Sequence, residues 1–569
     1  MNNFIWKYKD ADIQEVKNIC NEFDIPKSIA TIMLFKSIVN REQSKSFFYS
    51  NLDMLHNPLL MQDMDIAINH ILKVKDNNEL ILIIGDYDAD GTTATSILYL
   101  FFKSINIDVE YFIPNRQTDG YGVSLKSIDY AKKIGATTVI TCDCGITAVE
   151  QIDYANSLNI NTIITDHHKQ QDLLPSAAAI LNPNRNDCTY PFKGLCGAGV
   201  AFKFCMGINN ELGLPIENIL LYCDLVAIAT TADVVPIIDE NRLIVKQGLN
   251  NILNETNYGI KALMKVSKLD ANSLTVGKLG YWFIPKINAA GRLGDAGRAV
   301  KLFTTNNPQL ANQIALDLEN ENEKRKIITM QHENDAQRII DSSIDLEKQK
   351  IIIIYKEDWH FGVVGIVASR VKDKYNFPTI VLTEDKGFFK GSCRSISGFD
   401  IVNALSSCSD LLENFGGHPM AAGLSIKKEN LDLFIIRMND YAIEKIKTSL
   451  KPILNIDYML DFNEINSRFI KFLDHLEPYG PGNAKPIFST NKITGFHDLE
   501  LLGKDRNVLK CKINSPHIDL EIIGFQMVEN YEKLLSNKNV DISYQIDKNI
   551  WRGKESIQLV LKDVIYSDA

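Results

Sequence analysis

Short apolar runs alternate with amphipathic helical segments between about Ala67 and Leu174. The clearest runs have the length of buried strands and are far shorter than a membrane span. They are Leu80–Ile84, Val109–Ile113, Thr137–Thr141 and Thr162–Thr165. Strands that alternate with helices predict a mostly parallel sheet with helices on both faces.

The pattern changes twice further along the chain. From Gln309 to Ile340 runs a charged stretch with few helix breakers. As one helix it would span roughly 48 Å at 1.5 Å per residue, enough to link two domains. A second strand–helix pattern begins at Ile351, and after about Lys451 strands of period two are separated by polar turns. The last pattern predicts a small β-barrel or sandwich.

A chain of 569 residues is too long for one hydrophobic core, so we expect an α/β protein of several domains. The predicted parts are an N-terminal helical segment, a domain with a parallel sheet, a long connecting helix, a smaller α/β domain and a β-barrel. Their boundaries are 1–60, 61–305, 306–348, 349–450 and 451–569.

Composition narrows the class of protein. The hydrophobic fraction of 45% and the charged fraction of 23% are ordinary for a globular protein. The N-terminus MNNFIWKYKD lacks a secretory pattern, and ten scattered cysteines fit a reducing compartment, so we expect a cytoplasmic protein without a membrane anchor. Cys142 and Cys144 have no second pair at zinc-finger spacing, which argues against structural zinc. Because the net charge is −10, local patches or metal ions must hold any polyanion.

Acidic residues crowd the end of the first predicted strand. Leu80–Ile84 is followed by GDYDADGT, which places Asp86, Asp88 and Asp90 at alternating positions. Like charges repel, and burying each costs several kcal/mol without a counter-charge. Hard oxygen ligands of this kind favour Mg²⁺ or Mn²⁺.

The next two predicted strands are also followed by residues that can bind a metal ion. Asp143 follows Thr137–Thr141, and the sequence Asp166-His167-His168 follows Thr162–Thr165. An Asp in this position can simply cap the next helix, and a loop His pair can be solvated. Ligands in open α/β sheets gather at the carboxyl ends of strands, however, so three such clusters together predict a metal site.

A fourth element, DLVAIATTADVVP, is an apolar helix with an acid at each end. One of Asp224 and Asp233 is expected to be a further ligand and the other a helix cap. Asp233, beside the turn at Pro236, is our choice.

The motifs GDYDADG, TCDCGI, TDHH and DLVAIATTADVVP resemble, in order, the four signature motifs of the DHH phosphoesterase superfamily. WHFGVVGIVASR, KGSCRSISGFD and ENFGGHPMAAG are similar to the DHHA1 domain, and LEPYGPGNAKPIF and WRGKESIQLVLKD resemble an OB-fold module. The resemblance covers nearly the whole chain. It implies a DHH catalytic domain at 61–305, a DHHA1 domain at 349–450 and a nucleic-acid-binding OB-fold at 451–569.

The resemblance also implies a set of site residues. Two divalent cations, Mn²⁺ or Mg²⁺, would be held by Asp88, Asp90, Asp143, His167 and Asp233. Catalytic roles fall to Asp86, as a ligand or a supporting acid, to His168, as a hydrogen-bond donor to the phosphate or leaving group, and to His418.

Substrate contacts are expected mainly in the later part of the chain. The glycine-rich run at Gly416, Gly417 and His418 would let backbone amides approach a phosphate, although a tight strand–helix turn is the alternative. Guanidinium and hydroxyl groups suited to a 5′-phosphate are offered by Arg116, Arg292, Arg370, Ser392 and Arg394, unless the arginines pair with surface acids.

In the barrel, we expect Trp551 to stack on bases and Arg552 to contact phosphates. Tyr544 and Phe525 are further aromatic candidates there, but we expect both to belong to the core.

Two rival functions belong to different classes. Other DHH hydrolases cleave pyrophosphate or short nucleotides and are generally shorter, whereas a non-catalytic DNA-binding scaffold predicts eroded motifs. The intact motifs and the extra segment 451–569 favour an enzyme with a polymer substrate. The resemblance implies an exonuclease specific for single-stranded DNA that releases mononucleotides 5′→3′ by two-metal-ion catalysis in recombination and repair. It further implies a monomer that works with single-strand-binding protein and a RecQ-type helicase.

Overall fold

A computed structural model describes the chain except at residues 1–3, 50, 117, 121, 255–256, 271–273, 386, 448–450, 504–505, 514–519, 536–538, 552–553 and 567–569. Two compact units form. One comprises residues 55–450 and 480–482, and the other comprises residues 1–54, 451–479 and 483–569. Among the described residues, no helix combines the length and apolar character needed to cross a bilayer.

The secondary structure is mixed in both units. The strands are β1 Ile5–Tyr8, β2 Ile81–Gly85, β3 Val109–Phe112, β4 Thr138–Cys142, β5 Asn161–Thr165, β6 Ala179–Leu181, β7 Ile352–Tyr355, β8 Thr379–Asp385, β9 Phe388–Arg394, β10 Leu412–His418, β11 Ala421–Lys427, β12 Ile453–Ile456, β13 Tyr458–Met459, β14 Phe488–Ile493, β15 Phe496–Leu502, β16 Val508–Ile513, β17 Leu520–Phe525, β18 Val540–Trp551 and β19 Lys554–Tyr566. The helices are α1 Ile13–Phe23, α2 Lys27–Phe35, α3 Arg41–Phe48, α4 Met64–Asp76, α5 Ala89–Ser104, α6 Leu125–Ile134, α7 Val149–Ser157, α8 Gly197–Glu211, α9 Glu217–Leu220, α10 Cys223–Ala232, α11 Asp239–Leu253, α12 Tyr258–Ser267, α13 Val276–Lys278, α14 Ile284–Leu293, α15 Gly297–Thr304, α16 Pro308–Ser343, α17 Phe361–Tyr375, α18 Ile401–Ser406, α19 Leu431–Lys445, α20 Ser467–His475 and α21 Tyr531–Leu535.

The first sheet is parallel throughout and has the order β3-β2-β4-β5-β6. The four predicted strands are all present, displaced by no more than one residue at either end, while β6 lies beyond the region in which strands were predicted. Every residue of β2 and β4 is buried, as a sheet with helices on both faces requires. Gly85, Cys142 and Thr165 are register partners in turn, so three strands end at one level.

The long helix α16 joins the first sheet to the second. It runs unbroken for 36 residues, about 54 Å at 1.5 Å per residue. Asn307 caps its start by accepting the N–H groups of Gln309 and Leu310. Apolar residues are buried towards both ends of the helix: Ala311, Ile314, Ala315 and Leu318 near its start, and Ala336 and Ile340 near its end. The middle of the helix is more polar, as expected of a helix that packs against two cores.

The second sheet has the order β10-β11-β9-β8-β7, and only β7 and β8 run parallel. Its core is a separate apolar cluster that includes Ile380, Phe389 and Phe434. The glycine-rich run lies in the hairpin of β10 and β11, where Gly416 faces Gly423 and His418 faces Ala421. The alternative of a strand–helix turn is therefore wrong.

The other unit is a β-rich domain with helices around it. Its main sheet has the order β13-β14-β18-β19-β17-β16-β15, and β1 pairs with β12. Helices α1, α2 and α20 bury apolar residues in the same core as these strands. Tyr544 is fully buried there, with its hydroxyl 2.8 Å from Thr490 Oγ1, whereas Phe525 is exposed. Arg552 and the side chain of Trp551 lie outside the described residues.

Candidate metal centre

The acids after β2 occupy two kinds of position. Asp86 is buried at the strand end, and its Oδ1 atom makes no hydrogen bond. Asp88 caps helix α5, since its Oδ1 accepts the N–H groups of Asp90 at 2.9 Å and Gly91 at 3.0 Å. The helix-cap alternative therefore holds for Asp88, yet a carboxylate oxygen of Asp88 also lies within 4.8 Å of ligand atoms of Asp86 and Asp143.

Asp90 is buried against the start of helix α8. Its two oxygens accept the N–H groups of Gly197 at 2.7 Å and Ala198 at 2.8 Å. Burial, and then the charge of Asp88, raise the pKa of Asp90 to about 6, although these backbone hydrogen bonds lower it. Gly197 also lets Asp143 lie close to the start of α8, because a Cβ on Gly197 would be only 2.5 Å from Asp143 Cβ.

His167 lies among three carboxylates from different elements. Its Nε2 atom is 3.2 Å from Asp143 Oδ1, 3.6 Å from Asp233 Oδ2 and 3.9 Å from Asp90 Oδ2. The same nitrogen is buried and makes no hydrogen bond. Burial lowers the pKa of His167 to about 4. The ring is therefore neutral at pH 7, which is the form that binds metal ions.

The two acids of helix α10 have different surroundings. Asp224 lies in the first turn, where its carboxylate accepts the N–H group of Leu225 at 2.7 Å. Asp233 follows the last turn and faces His167. Burial, then the charge of Asp90, raise the pKa of Asp233 to about 8. The structure thus brings Asp233, and not Asp224, to the other candidate ligands.

The candidate ligands form two groups that share no residue. Asp90, His167 and Asp233 form one triad, and Asp86, Asp88 and Asp143 form the other, each with ligand atoms within 4.8 Å of one another. Asp143 also groups with both histidines, so it lies between the triads. Burial and the neighbouring acids raise the pKa values of Asp86 and Asp143 well above the usual range.

These residues fit a pair of divalent cations. A small cation with ligands at about 2.1 Å holds ligand atoms at most about 4.2 Å apart, which is close to the spacing within each triad. Buried acids that repel one another are stabilised by positive charge. In addition, Asp86 Oδ1 and His167 Nε2 are buried and make no hydrogen bond, so both atoms are available to bind a cation.

Asp166 is a site residue that sequence reasoning left without a role. It is buried, its Oδ1 lies 2.7 Å from His168 Nδ1, and it accepts the backbone N–H groups of His167 and His168. Burial lowers the pKa of His168, but the hydrogen bond and charge of Asp166 more than offset this and raise it to about 9. Asp166 therefore orients the His168 ring, holds the backbone of both histidines and raises the pKa of His168. Its place at a strand end beside the other acids was the signal in the sequence.

Arginines cluster next to this centre. Arg292 donates from Nη1 to the carbonyl oxygen of Gly362 at 3.0 Å. Burial, followed by the charges of Arg116, Arg325 and Arg394, lowers the pKa of Arg292 to about 10. The charges of three other guanidinium groups thus reach Arg292, and such a concentration of positive charge is suited to an anion.

Other contacts hold two of these arginines in place. The guanidinium carbon of Arg116 lies 5.4 Å from the ring of Tyr87 and 5.7 Å from the ring of Phe361. Arg394 donates to Ser392 Oγ at 2.7 Å. Ser392 and Arg394 are therefore adjacent, as their spacing on one strand allows.

Arg325 and Arg370 differ from expectation in opposite ways. Arg325 was not predicted, because a charged stretch such as that of α16 is typical of a helix surface. In the structure, however, its Nε atom is buried and makes no hydrogen bond. Arg370 was predicted to bind phosphate, but its Nη1 pairs with Glu333 at 2.5 Å on the surface of α17. Nothing in its local sequence distinguishes it from the clustered arginines.

The glycine hairpin lies on the side of the metal centre. Gly416, Gly417 and His418 are exposed, and the charge of His418 contributes to the lowered pKa of His167. A Cβ at Gly416 would meet no atom within 4 Å. Packing therefore does not require glycine at that position, which leaves room for a ligand to approach the backbone.

Comparison with known proteins gives matches to three family models. The DHH family, N-terminal domain, matches residues 80–230, the DHHA1 domain matches residues 348–444, and the RecJ OB domain matches residues 456–563. These matches confirm the predicted resemblance in the same order along the chain.

Several relatives are similar over most of their length. The single-stranded-DNA-specific exonuclease RecJ of Bacillus subtilis (strain 168) is 33% identical over 568 residues, which cover 99% of this chain and 71% of the relative. The protein of the same name from Escherichia coli (strain K12) is 34% identical over 508 residues, covering 85% of this chain and 87% of the relative.

Two solved structures are similar to the fold. RecJ from Thermus thermophilus in complex with Mn²⁺ has a TM-score of 0.84 and 24% identity, and the match covers 99% of this chain and 80% of that one. An exonuclease RecJ bound to manganese has a TM-score of 0.60 and 30% identity, covering 70% of this chain and 99% of that one.

Proposed function

The chain belongs to the RecJ family of single-stranded-DNA-specific exonucleases, and from this membership we propose that it hydrolyses single-stranded DNA from the 5′ end to mononucleotides. The observation that carries the proposal is the pair of triads, Asp90–His167–Asp233 and Asp86–Asp88–Asp143. Every member has a side chain able to bind a metal ion, which speaks against a non-catalytic scaffold.

We assign the two triads to two divalent cations, Mn²⁺ or Mg²⁺, with Asp143 between them. When bound, such a pair supplies an activated water and neutralises charge that develops on the phosphoryl group. The neutral imidazole of His167 offers Nε2 as a ligand, and Asp90 is held in place by the start of helix α8.

His168 is suited to a different task. Asp166 raises the pKa of His168 and so favours the protonated ring, which can donate a hydrogen bond to a non-bridging phosphate oxygen or to the leaving oxygen. Asp166 fixes the ring through Nδ1, so that Nε2 is the nitrogen that faces substrate. His418, on the opposing hairpin, is proposed as a second phosphate contact, together with the backbone at Gly416 and Gly417.

The arginine cluster accounts for the proposed polarity. We assign the 5′-phosphate to Arg116, Arg292 and Arg394 with Ser392, and add Arg325 to that set. A terminal phosphate carries more charge than an internal one, so a buried cluster of guanidinium groups favours the end of a strand. Arg370, already paired with Glu333, is assigned an outer position.

The cellular setting follows from family membership alone. We propose that the protein is cytoplasmic and monomeric, and that it acts in recombination and repair with single-strand-binding protein and a RecQ-type helicase. Trp551 and Arg552 remain proposed contacts for bases and phosphates further along the strand.

A nuclease assay tests this function. The purified chain is offered 5′-phosphorylated, 5′-hydroxyl and 3′-labelled oligonucleotides, single- and double-stranded, with Mn²⁺, Mg²⁺ or EDTA. We expect mononucleotides from the 5′ end of single strands, a faster reaction with a 5′-phosphate, and none in EDTA. Release of mononucleotides from the 3′ end, or equal hydrolysis of duplex, would contradict the proposal.

A further inference from the structure

Two exposed aromatic side chains lie one helix upstream of the arginine cluster. Tyr281 is 73% exposed and Trp282 is 36% exposed. Their rings meet edge to face with centroids 5.0 Å apart. They lie in a π-helical turn, Leu279–Phe283, between α13 and α14, a rare conformation that recurs at functional sites. Core packing explains Leu279 and Phe283, which are buried, but not Tyr281.

The π turn that carries the aromatic pair lies beside helix α10. A Cβ on the neighbouring Gly280 would come within 3.6 Å of Thr231 Cγ2. Thr231 is in the last turn of α10, less than one turn, or about 5.4 Å of rise, before the candidate ligand Asp233. The π turn is therefore packed against the helix that presents Asp233.

The same helical run carries two other parts of the site further along. Asn288 accepts the N–H group of Ala89, at the start of α5, at 2.8 Å. A Cβ on Gly291 would lie 2.4 Å from the carbonyl oxygen of Tyr87, so α14 touches the acidic loop closely. Arg292 follows in the arginine cluster. Counted from Tyr281, Asn288 and Arg292 are about 10 and 16 Å along the helix axis at 1.5 Å per residue.

The helical run from the π turn through α14 therefore contacts three features in order. These are the exposed aromatic pair, the acidic loop at Asp86–Asp90 and the arginine cluster. A strand whose 5′-phosphate lies at Arg292, and whose first phosphodiester lies at the triads, has its next nucleotides towards the π turn. At roughly 3.4 Å per stacked nucleotide, a few nucleotides span the distance.

We infer that Tyr281, supported by Trp282, stacks on a base on the 3′ side of the scissile phosphodiester. This inference rests on the proposed function and adds a base contact to it. Stacking on an aromatic face is independent of base identity, as an exonuclease without sequence preference requires. A cation–π contact positions Trp282, since the Nζ atom of the buried Lys286 lies 5.6 Å from the centre of the Trp282 ring.

The test separates base stacking from other uses of an exposed aromatic residue. Wild type and Tyr281→Ala are compared on a single-stranded 12-mer, on the same 12-mer with abasic residues at its second to fifth nucleotides, and on a dinucleotide. We expect Tyr281→Ala to raise KM for the normal 12-mer about tenfold, with kcat changed by less than about twofold. Tyr281→Phe retains the ring and should behave as wild type. Tyr355→Ala, another exposed tyrosine on β7, is the matched control and should leave KM unchanged.

Abasic residues should raise KM for wild type and remove the difference between wild type and Tyr281→Ala. The dinucleotide, which is too short to reach the π turn, should be cleaved equally by both. If KM for the normal 12-mer is the same in both proteins, or if abasic residues cost both equally, the stacking role is wrong and the surface serves another partner. Failure of the proposed function looks different, because wild type would then cleave none of the three substrates.

Discussion

His167→Ala is expected to lower kcat on single-stranded DNA roughly 10⁴-fold or more, the loss typical of a missing member of a cooperative catalytic unit. The reason is geometric, since Nε2 of His167 is the atom that approaches Asp143, Asp233 and Asp90 together. Asp90→Asn should have a comparable effect. Asp166→Asn, which weakens the hydrogen bond to His168 and removes the charge that raises the pKa of His168, should cost about 10–100-fold.

Thermal unfolding distinguishes a lost metal ligand from a lost fold. In EDTA, both variants should melt close to the wild-type temperature. Asp90→Asn removes one charge from a buried cluster of repelling acids but also one acceptor for the N–H groups at the start of α8, and His167→Ala removes a neutral ring. Mn²⁺ at a hundredfold excess over its Kd should stabilise wild type by about 2.7 kcal/mol and the variants by less. Asp172→Asn, at an exposed position, and His497→Ala, at a half-buried position on β15, serve as controls. Normal metal-dependent activity in His167→Ala would overturn the ligand assignment.

Arg292→Ala is expected to lower kcat/KM for 5′-phosphorylated DNA about 100-fold, the order of loss when one partner of a buried charged pair is removed. The effect on 5′-hydroxyl DNA should be much smaller, because the lost interaction is with the terminal phosphate. The preference for a 5′-phosphate should therefore largely disappear. Competition between the two substrates in one reaction measures that preference directly.

Arg437→Ala is the matched control for this experiment. The Arg437 guanidinium is paired with Asp410 on the surface of α19, and exposed pairs contribute little, so we expect less than about a threefold change. An unchanged 5′-phosphate preference in Arg292→Ala, or an equally large loss in Arg437→Ala, would contradict the assignment of the phosphate site.

The first sheet and its acidic edge were predictable from sequence because both follow local rules. Continuous apolar runs mark buried parallel strands, and in such a sheet the carboxyl ends meet at one edge. Asp86, Asp143 and His167 could therefore be grouped before any coordinates were known. The choice of Asp233 over Asp224 rested on a weaker signal, the nearby Pro236, and the distances from His167 now support it.

Residues whose role depends on distant packing were not predictable in this way. Arg325 and Arg370 are both helical arginines, and only the tertiary structure buries one beside Arg292 and pairs the other with Glu333. Tyr281 was not singled out either, since an aromatic residue in an apolar stretch normally belongs to the core. Its exposure results from a π turn, which has no simple sequence signature.

The central claim is that side chains from separate strands and helices hold two cations. A crystal structure of the chain grown with Mn²⁺, with anomalous scattering recorded for manganese, tests it most directly. We predict two peaks, one about 2.1 Å from ligand atoms of Asp90, His167 and Asp233 and one at a similar distance from Asp86 and Asp88, with Asp143 between them. Absence of manganese among these side chains, at concentrations that support hydrolysis, would contradict the account.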